Sequence, residues 1–367
     1  MAELFAGLMS GTSLDGVDGV LAEFSASGFP KVVSHAYRAF PEALRDELLA
    51  LNTSGADELH RAALASNALA ALYTEVVAEL LANASVEANA VRAIGSHGQT
   101  VRHRPALGYT WQINNPSLLA ERSGIAVVAD FRTRDVAAGG QGAPLVAAFH
   151  RALFGQAGET RAVLNLGGIS NLTALLADGR TTGFDCGPAN VLMDLWCLRH
   201  TGQRFDADGA WAAQGSVHPP LLQVLLQEPY FAEAPPKSTG RDLFNMPWLQ
   251  GRLDAHGTPC DPVDVQATLC ELTAKTCADA VQAHAGDAKE LLVCGGGALN
   301  LHLMRRLAHH LPGVTVRPSD ARGLPAQHVE AAAFAWLAYQ HAHGRPGNLS
   351  AVTGASGPRV LGAWYPA

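Results

Sequence analysis

Ser10-Gly11-Thr12-Ser13-Leu14-Asp15-Gly16 stands between two apolar runs, Leu4 to Met9 and Val17 to Phe24, and this arrangement decides how the chain folds. Two short apolar runs flanking a tight polar turn describe a pair of antiparallel strands and their hairpin. A strand rather than a helix follows the glycines, so the turn is not a Walker loop, and no G-x-x-x-x-G-K-[ST] occurs in the sequence. A third strand falls around Lys31 to Arg38. The plan begins again midway, with Arg161 to Leu166, the turn Gly167-Gly168-Ile169-Ser170, a strand over Asn171–Leu176, the turn Asp178-Gly179 and a strand over Thr181–Phe184.

Outward from the first hairpin, the pattern predicts helices near Pro41–Leu51 and Asp57–Leu81, a strand at Val91–Ser96, a short helix at Pro116–Ser123 and a strand at Ile125–Ala129. Outward from the second, it predicts a helix from about Pro188 to His200, Pro188 suiting a first helical position. Helices near Pro262–Ala283, Leu299–His310 and Gln327–His341 then alternate with strands at Glu290–Cys294 and Val314–Arg317. Tight turns require antiparallel pairing and helical crossovers favour parallel neighbours, so each sheet is expected to be mixed. The fold class is therefore α/β, with two domains of mixed sheets flanked by helices and a ligand cleft between them. The expected boundaries are 1–130, with 345–367 as an optional completion, and 131–344. On pattern alone a Rossmann-type pair stays open.

The length of 367 residues suits two cores better than one. Hydrophobic residues at 48% and charged residues at 16% describe a globular chain. A formal charge of −7 gives no basic face for nucleic acid, yet does not forbid phosphates, which backbone N–H groups and a metal ion hold without many lysines. The six cysteines include no C-x-x-C pair and sit mostly in apolar stretches, as reduced cytoplasmic thiols do. Met1–Phe5 lacks a basic region followed by an apolar run and a small-residue cleavage site, so no secretory signal is expected, and no apolar run approaches the about 18 residues of a membrane span, so no membrane partner is expected.

Hairpin tips rich in Gly, Ser and Thr point N–H groups and hydroxyls at phosphate oxygens, and they are equally ordinary turn residues. Two of them at equivalent places favour phosphate binding: Ser10, Gly11, Thr12, Ser13, Leu14, Asp15, Gly16 and Val17 in one half, Asn165, Gly167 and Gly168 in the other. Asp15 is the candidate Mg²⁺ residue, through water. Gly295, Gly296 and Gly297 end a buried strand and open a helix, where a ligand approaches the backbone closely. Asp185, in Gly183-Phe184-Asp185-Cys186-Gly187-Pro188, is read at a strand end just before a helix, where it suits a general base and a helix N-cap alike. His97, Gln99, Arg132, Asp135 and Gln141 form a polar set of the kind that binds sugars, Arg132 suiting a ligand carboxylate. Pro236-Lys237-Ser238-Thr239-Gly240-Arg241 reads as a solvated loop.

Taken together, Gly7–Asp18, Ile94–Thr100, Ala129–Arg132, Ala138–Pro144, Gly183–Asn190, Val293–Asn300 and Gly347–Tyr365 resemble the motifs of the anhydro-N-acetylmuramic acid kinases. Ala189 stands where that pattern has glycine. The resemblance implies two actin-like (ribonuclease H-like) domains of the actin, Hsp70 and hexokinase superfamily, with the adenosine of ATP at the Gly295–Gly297 junction. It also implies an ATP- and Mg²⁺-dependent enzyme whose water opens the 1,6-anhydro ring and whose released O6 takes the γ-phosphoryl group. Asp185 is then the expected base, Glu330 a weaker candidate to share it, and N-acetylmuramic acid 6-phosphate the product of cytoplasmic cell-wall sugar recycling. The small sugar is the expected partner, and a homodimer is left open. The alternatives are a kinase for another sugar on the same scaffold and a nucleotide- or sugar-binding regulator without turnover.

Overall fold

A computed structural model of the protein describes residues 2–11, 13–25 and 28–367. The chain order is β1 (Glu3–Met9), β2 (Gly16–Phe24), β3 (Pro30–Ala39), α1 (Glu42–Ala50), α2 (Glu58–Ala84), β4 (Val91–Ser96), β5 (Gln99–Arg104), β6 (Tyr109–Ile113), α3 (Pro116–Ser123), β7 (Val127–Ala129), α4 (Thr133–Ala137) and α5 (Val146–Phe154). It continues with β8 (Arg161–Leu166), β9 (Ile169–Leu175), β10 (Thr181–Pro188), α6 (Asn190–Thr201), α7 (Pro219–Leu226), α8 (Met246–His256), α9 (Pro262–His284), β11 (Glu290–Cys294), α10 (Leu301–His310), β12 (Thr315–Pro318), α11 (Val329–Ala342), α12 (Ser350–Thr353) and β13 (Ala363–Tyr365). The hairpin β5–β6, the helices α4, α5, α7, α8 and α12, and the closing strand β13 are not foreseen by the sequence pattern.

Contacts divide the chain into two units, one running to Leu153 and resumed at His328–Ala367, the other Phe154–Gln327. The division thus falls at 153/154 and 327/328 rather than at 130/131 and 344/345. Both 131–153 and α11 belong with the first sheet, because a helical pattern shows an apolar face without showing which sheet it covers.

The first unit has the sheet order β13-β7-β4-β1-β2-β3, and the second has β10-β9-β8-β11-β12. In each, three antiparallel strands continue into parallel neighbours, β1 beside β4 and β7 in one, β8 beside β11 and β12 in the other. The doubled plan read from the hairpins is therefore the topology of both units.

In the first unit, helices cover both faces of the sheet. Leu8 and Gly19 pair across β1 and β2 and face α2, where a Cβ on Gly19 would strike the Val76 side chain. By length and hydropathy α2 could cross a membrane, yet its Leu69, Leu72, Tyr73, Val76, Val77 and Leu80 are buried in this core. On the opposite face Gly7 and Gly95 pair across β1 and β4 beneath α11. A Cβ on Gly7 would overlap the Ala331 carbonyl oxygen, and one on Gly95 would lie 2.7 Å from the Phe334 carbonyl carbon. The buried run Ala331-Ala332-Ala333 with Ala335 and Ala338 supplies the matching small surface on α11. In the second unit α9 is the central helix, with Val265–Ala274 buried without interruption.

Two histidines are packed inside the first unit, His97 and His150. Burial lowers both from 6.5 to about 3, with the Arg132 charge adding to the effect on His97.

Gly95→Ala should cost about 3 kcal/mol or more by overpacking. Gly251→Ala, in α8 with nothing within 4 Å of the added Cβ, should instead gain up to about 1 kcal/mol from helix propensity. Urea midpoints of the two variants check both signs. The two histidines set a second expectation. Between pH 6.5 and about 3 the unfolded chain binds protons that the folded chain refuses, so stability falls as pH falls through that window, by about 1.4 kcal/mol per unit per histidine. Unfolding free energies across this range should flatten in His150→Gln.

Candidate functional site

The polar residues of the first unit gather at the carboxyl ends of β1, β4 and β7, where open α/β sheets place ligands. Ser10 is buried, and its hydroxyl donates to the Gly98 carbonyl at 2.9 Å. Its one proton being spent, it accepts from the Tyr73 phenol, also at 2.9 Å, whose pKa burial pushes up. The Ser10 carbonyl meets His97 Nδ1 at 3.1 Å, and Arg132 Nε donates to His97 Nε2 at 3.1 Å. An arginine only donates, so His97 must carry its proton on Nδ1 and remain neutral. Arg132 also donates to the Gly142 carbonyl at 2.7 Å, and Gln99 Nε2 to the Gly11 carbonyl at 3.1 Å. Ser10, His97, Gln99 and Arg132 thus brace one another around the hairpin base.

The hairpin tip carries the groups open to a ligand. Gly11 is partly exposed, and Ser13 and Asp15 are exposed. Ser13 Oγ and the Gly16 N–H donate to Asp15 Oδ1 at 2.8 and 3.0 Å, and Tyr37 OH donates to the Asp15 carbonyl at 3.1 Å. Leu14 and Val17 are buried, and a Cβ on Gly16 would run into Tyr37. The expectation on Thr12 lies outside the described residues. Two buried amide oxygens, Gln99 Oε1 and Asn114 Oδ1, have no hydrogen-bond partner among the described residues. Buried polar atoms of this kind ask for a ligand or water.

Asp135 corrects its expected place as a sugar contact. Its side chain has no exposed surface, and its oxygens accept from the Gly142 N–H at 2.8 Å, Asn348 Nδ2 at 2.7 Å and Thr353 Oγ1 at 2.7 Å. Any Cβ on Gly140 would invade this carboxylate. Asp135 therefore positions the loop that presents the partly exposed Gln141. Glu330, also partly exposed, sits in the first turn of α11, one turn before Phe334, whose ring lies 4.7 Å from that of His97. Asp130, exposed at the end of β7 with φ 60°, is a strained position that the sequence reading did not single out.

In the second unit Asp185, Asn171, Asn165 and Cys294 lie opposite one another across β10, β9, β8 and β11. Directly opposed residues share a sheet face, and the Cys294 thiol does reach Asn165 Oδ1 at 3.8 Å. Beside Asp185 in this row, Asn171 Oδ1 is buried and has no hydrogen-bond partner among the described residues. Gly295 and Gly297 serve close approach: a Cβ on Gly295 would lie 2.8 Å from the Leu166 carbonyl oxygen, and one on Gly297 2.6 Å from Leu166 Cβ. Gly296 has nothing within 4 Å and opens outward.

Asp185 itself is partly exposed and departs from its expected setting. β10 runs on to Pro188, an edge strand having room for proline, and α6 begins only at Asn190. The first amides of α6 do not face Asp185: the N–H groups of Ala189, Asn190 and Val191 donate to the Gly168, Gly167 and Gly168 carbonyls at 3.0 to 3.1 Å. The N-cap reading is thereby removed. Ala189 has φ −108°, so it does not occupy the left-handed region that favours glycine. Asp185 is held instead by the segment read as a solvated loop and by Tyr230 upstream of it. The Thr239 N–H donates to Asp185 Oδ2 at 3.0 Å, the Asp185 N–H to the Lys237 carbonyl at 3.3 Å, and Tyr230 OH to the Asp185 carbonyl at 2.8 Å. Lys237 Nζ donates to the Tyr230 carbonyl at 3.0 Å and closes the arrangement. Tyr230 and Thr239 carried no sequence signal beyond a Pro-flanked polar stretch.

The family described as anhydro-N-acetylmuramic acid kinase matches residues 3–367. The chain is 62% identical to the anhydro-N-acetylmuramic acid kinase of Variovorax paradoxus over all of its own length and 99% of the relative's. It is 60% identical to that of Bordetella pertussis, over 99% of this chain and 96% of the relative, and 54% identical to that of Chromobacterium violaceum over the full length of both. Among solved structures, the (R)-2-hydroxyglutaryl-CoA dehydratase component A of Acidaminococcus fermentans superposes with TM-score 0.50 at 12% identity, covering 93% of this chain and 99% of that one. That likeness shows the fold alone. The doubled hairpin sheets, the polar row that contains Asp185 and the match across the whole length make this chain a member of the anhydro-N-acetylmuramic acid kinase family.

Proposed function

We propose that the protein is an ATP-dependent kinase that opens the 1,6-anhydro ring of anhydro-N-acetylmuramic acid with water and phosphorylates O6, within cytoplasmic recovery of cell-wall sugar. The observation that carries this reading is the Asp185 carboxylate, partly exposed and fixed through Thr239, Lys237 and Tyr230, in a chain that matches the family end to end.

The chemistry needs one base. As the water oxygen bonds to C1, its proton passes to Asp185 and the C1–O6 bond breaks. O6 then takes the γ-phosphoryl group, and ADP leaves. An inverting glycosidase also needs an acid to protonate its leaving oxygen; here phosphorus captures that oxygen. Asn171 Oδ1, buried without a hydrogen-bond partner among the described residues and one strand from Asp185, suits a hydrogen bond from the attacking water. Glu330 remains the second carboxylate proposed for the proton.

For the nucleotide, the hairpin groups Gly11, Thr12, Ser13 and Asp15, with Gly167 and Gly168, are proposed to meet the phosphates, and Gly295–Gly297 the adenosine. Ser10, Leu14, Gly16, Val17 and Asn165 shape those turns from within. The exposed Asp15 carboxylate is a hard oxygen donor of the kind Mg²⁺ prefers, usually through water. Bound Mg²⁺ neutralises charge on the transferring phosphoryl group. Gln99, Arg132 and Gln141 are proposed for the sugar, with Gln99 Oε1, which has no hydrogen-bond partner among the described residues, as an acceptor for a sugar hydroxyl, and His97, whose ring nitrogens meet Ser10 and Arg132, positions Arg132.

Incubation with anhydro-N-acetylmuramic acid and Mg-ATP, followed by mass analysis, should give N-acetylmuramic acid 6-phosphate and ADP. In ¹⁸O-water the label should sit on C1. Preference for free N-acetylmuramic acid would instead identify an ordinary sugar kinase, and no ADP release a binding protein. Asp185→Asn should retain binding of both substrates and lower kcat by about 10²–10⁴-fold. Turnover near wild type would remove Asp185 from the base role.

A further inference from the structure

Apart from the residues proposed for phosphoryl transfer, the second unit brings together His218, His256 and Cys260, one ligand atom of each lying within 4.8 Å of the others. Three separate segments supply them. His218 precedes α7, His256 ends α8, and Cys260 lies in the connection to α9. The turn that returns Cys260 toward His256 begins at Gly257, with φ 72° and its N–H on the Leu253 carbonyl at 3.2 Å. His218 is held by its own N–H, which donates to Thr268 Oγ1 at 3.0 Å. The two imidazoles meet edge to face, with centroids 4.9 Å apart.

An edge-to-face histidine pair with a thiol nearby would need no further account if its polar atoms were satisfied. They are not. His256 Nε2 is shut off from solvent and has no hydrogen-bond partner among the described residues. The Cys260 thiol donates to the Thr258 carbonyl at 3.6 Å, an ordinary sulfur contact that ligation would replace. A buried ring nitrogen without a partner is a cost that a bound cation removes.

We propose that His218, His256 and Cys260 bind a thiophilic divalent ion, Zn²⁺ being the reference case, through three protein ligands and one water. Two nitrogens and a sulfur suit borderline-soft ions and are unsuited to Mg²⁺, so this site is distinct in kind from any that serves the nucleotide. Ligand atoms on a tetrahedral zinc lie about 3.5 Å apart, so the 257–260 turn must close by about 1 Å. As the sulfur–metal bond forms, the Cys260 thiol gives its proton to solvent. The Asp261 and Asp264 carboxylates, one and four residues after Cys260, add negative charge that draws a cation toward it. Binding through His218 Nε2 would place the ring proton on Nδ1 and break the bond from the Leu221 N–H, which at 3.3 Å is already long. The ion would tie the start of α7, the end of α8 and the approach to α9 into one cluster.

The test uses the full chain, stripped with a chelator and titrated with ZnCl₂ against a chromogenic competitor, with Co²⁺ as a spectroscopic probe. One equivalent of Zn²⁺ should bind, raise the melting temperature and protect Cys260 from alkylation. Affinity should fall about 100-fold or more in Cys260→Ser and in His256→Ala, at or beyond the upper end of what loss of a mere supporting partner of a ligand costs. Co²⁺ should give a thiolate charge-transfer band that Cys260→Ser lacks. Cys260 is the least buried of the six cysteines, so its serine variant should fold and keeps the test decisive if His256→Ala does not. Failure to bind one equivalent, or equal affinity and an unchanged Co²⁺ spectrum in Cys260→Ser, would overturn the proposal.

Discussion

The first unit rests on how closely one helix backbone approaches two strands. Gly7 and Gly95 lie side by side on β1 and β4, and the Ala331 and Phe334 carbonyls of α11 occupy the space where their side chains would be. This leaves no room for a methyl group, and the alanines of α11 make the contact continuous. That seating brings Phe334 onto His97, and His97 in turn fixes the Ser10 carbonyl and receives the Arg132 guanidinium. Packing thus hands its precision directly to the polar groups at the strand ends. Burial, with the Arg132 charge adding to it, also keeps His97 neutral, which its role as acceptor for Arg132 requires.

The second unit reaches a similar end with different means. There the polar row Asp185, Asn171, Asn165 and Cys294 is a consequence of register alone, since opposed positions in neighbouring strands face the same way. The sheet then needs glycines at 295 and 297 because Leu166 lies against that turn. Thr273 of α9 donates to the Pro188 and Ala189 carbonyls at 3.2 Å, which fixes the corner after β10 from behind.

Much of this was legible in the chain because the signals were local. Each glycine hairpin sits between two apolar runs, and the order of elements after it repeats, so two mixed sheets followed from short-range pattern. What stayed hidden was non-local. The carboxylate of Asp135 looks like a ligand contact until Asn348 and Thr353, 213 and 218 residues away, are seen to consume it. Pro188 looks like the first residue of a helix, yet an edge strand tolerates proline equally well, and that choice moved Asp185 from a strand end beside a helix start into the body of the strand. The stretch around Tyr230 to Thr239 carries ordinary loop composition, and only its hydrogen bonds reveal that it holds Asp185. The alternation in Gln99–Arg104 was too mixed in polarity to announce β5.

The first unit is interrupted in sequence: Phe154–Gln327 intervene before α11 and the segment that caps Asp135 are made. On the ribosome, the inserted unit emerges with all of its strands while the earlier sheet still lacks the helix that covers Gly7 and Gly95. Until the last forty residues appear, that glycine strip and the Asp135 carboxylate face water or a chaperone. A nascent chain cut short before α11 would therefore present one finished half and one open half. Quality-control proteases acting on such fragments should find their first cleavage sites in the half that was synthesised earlier.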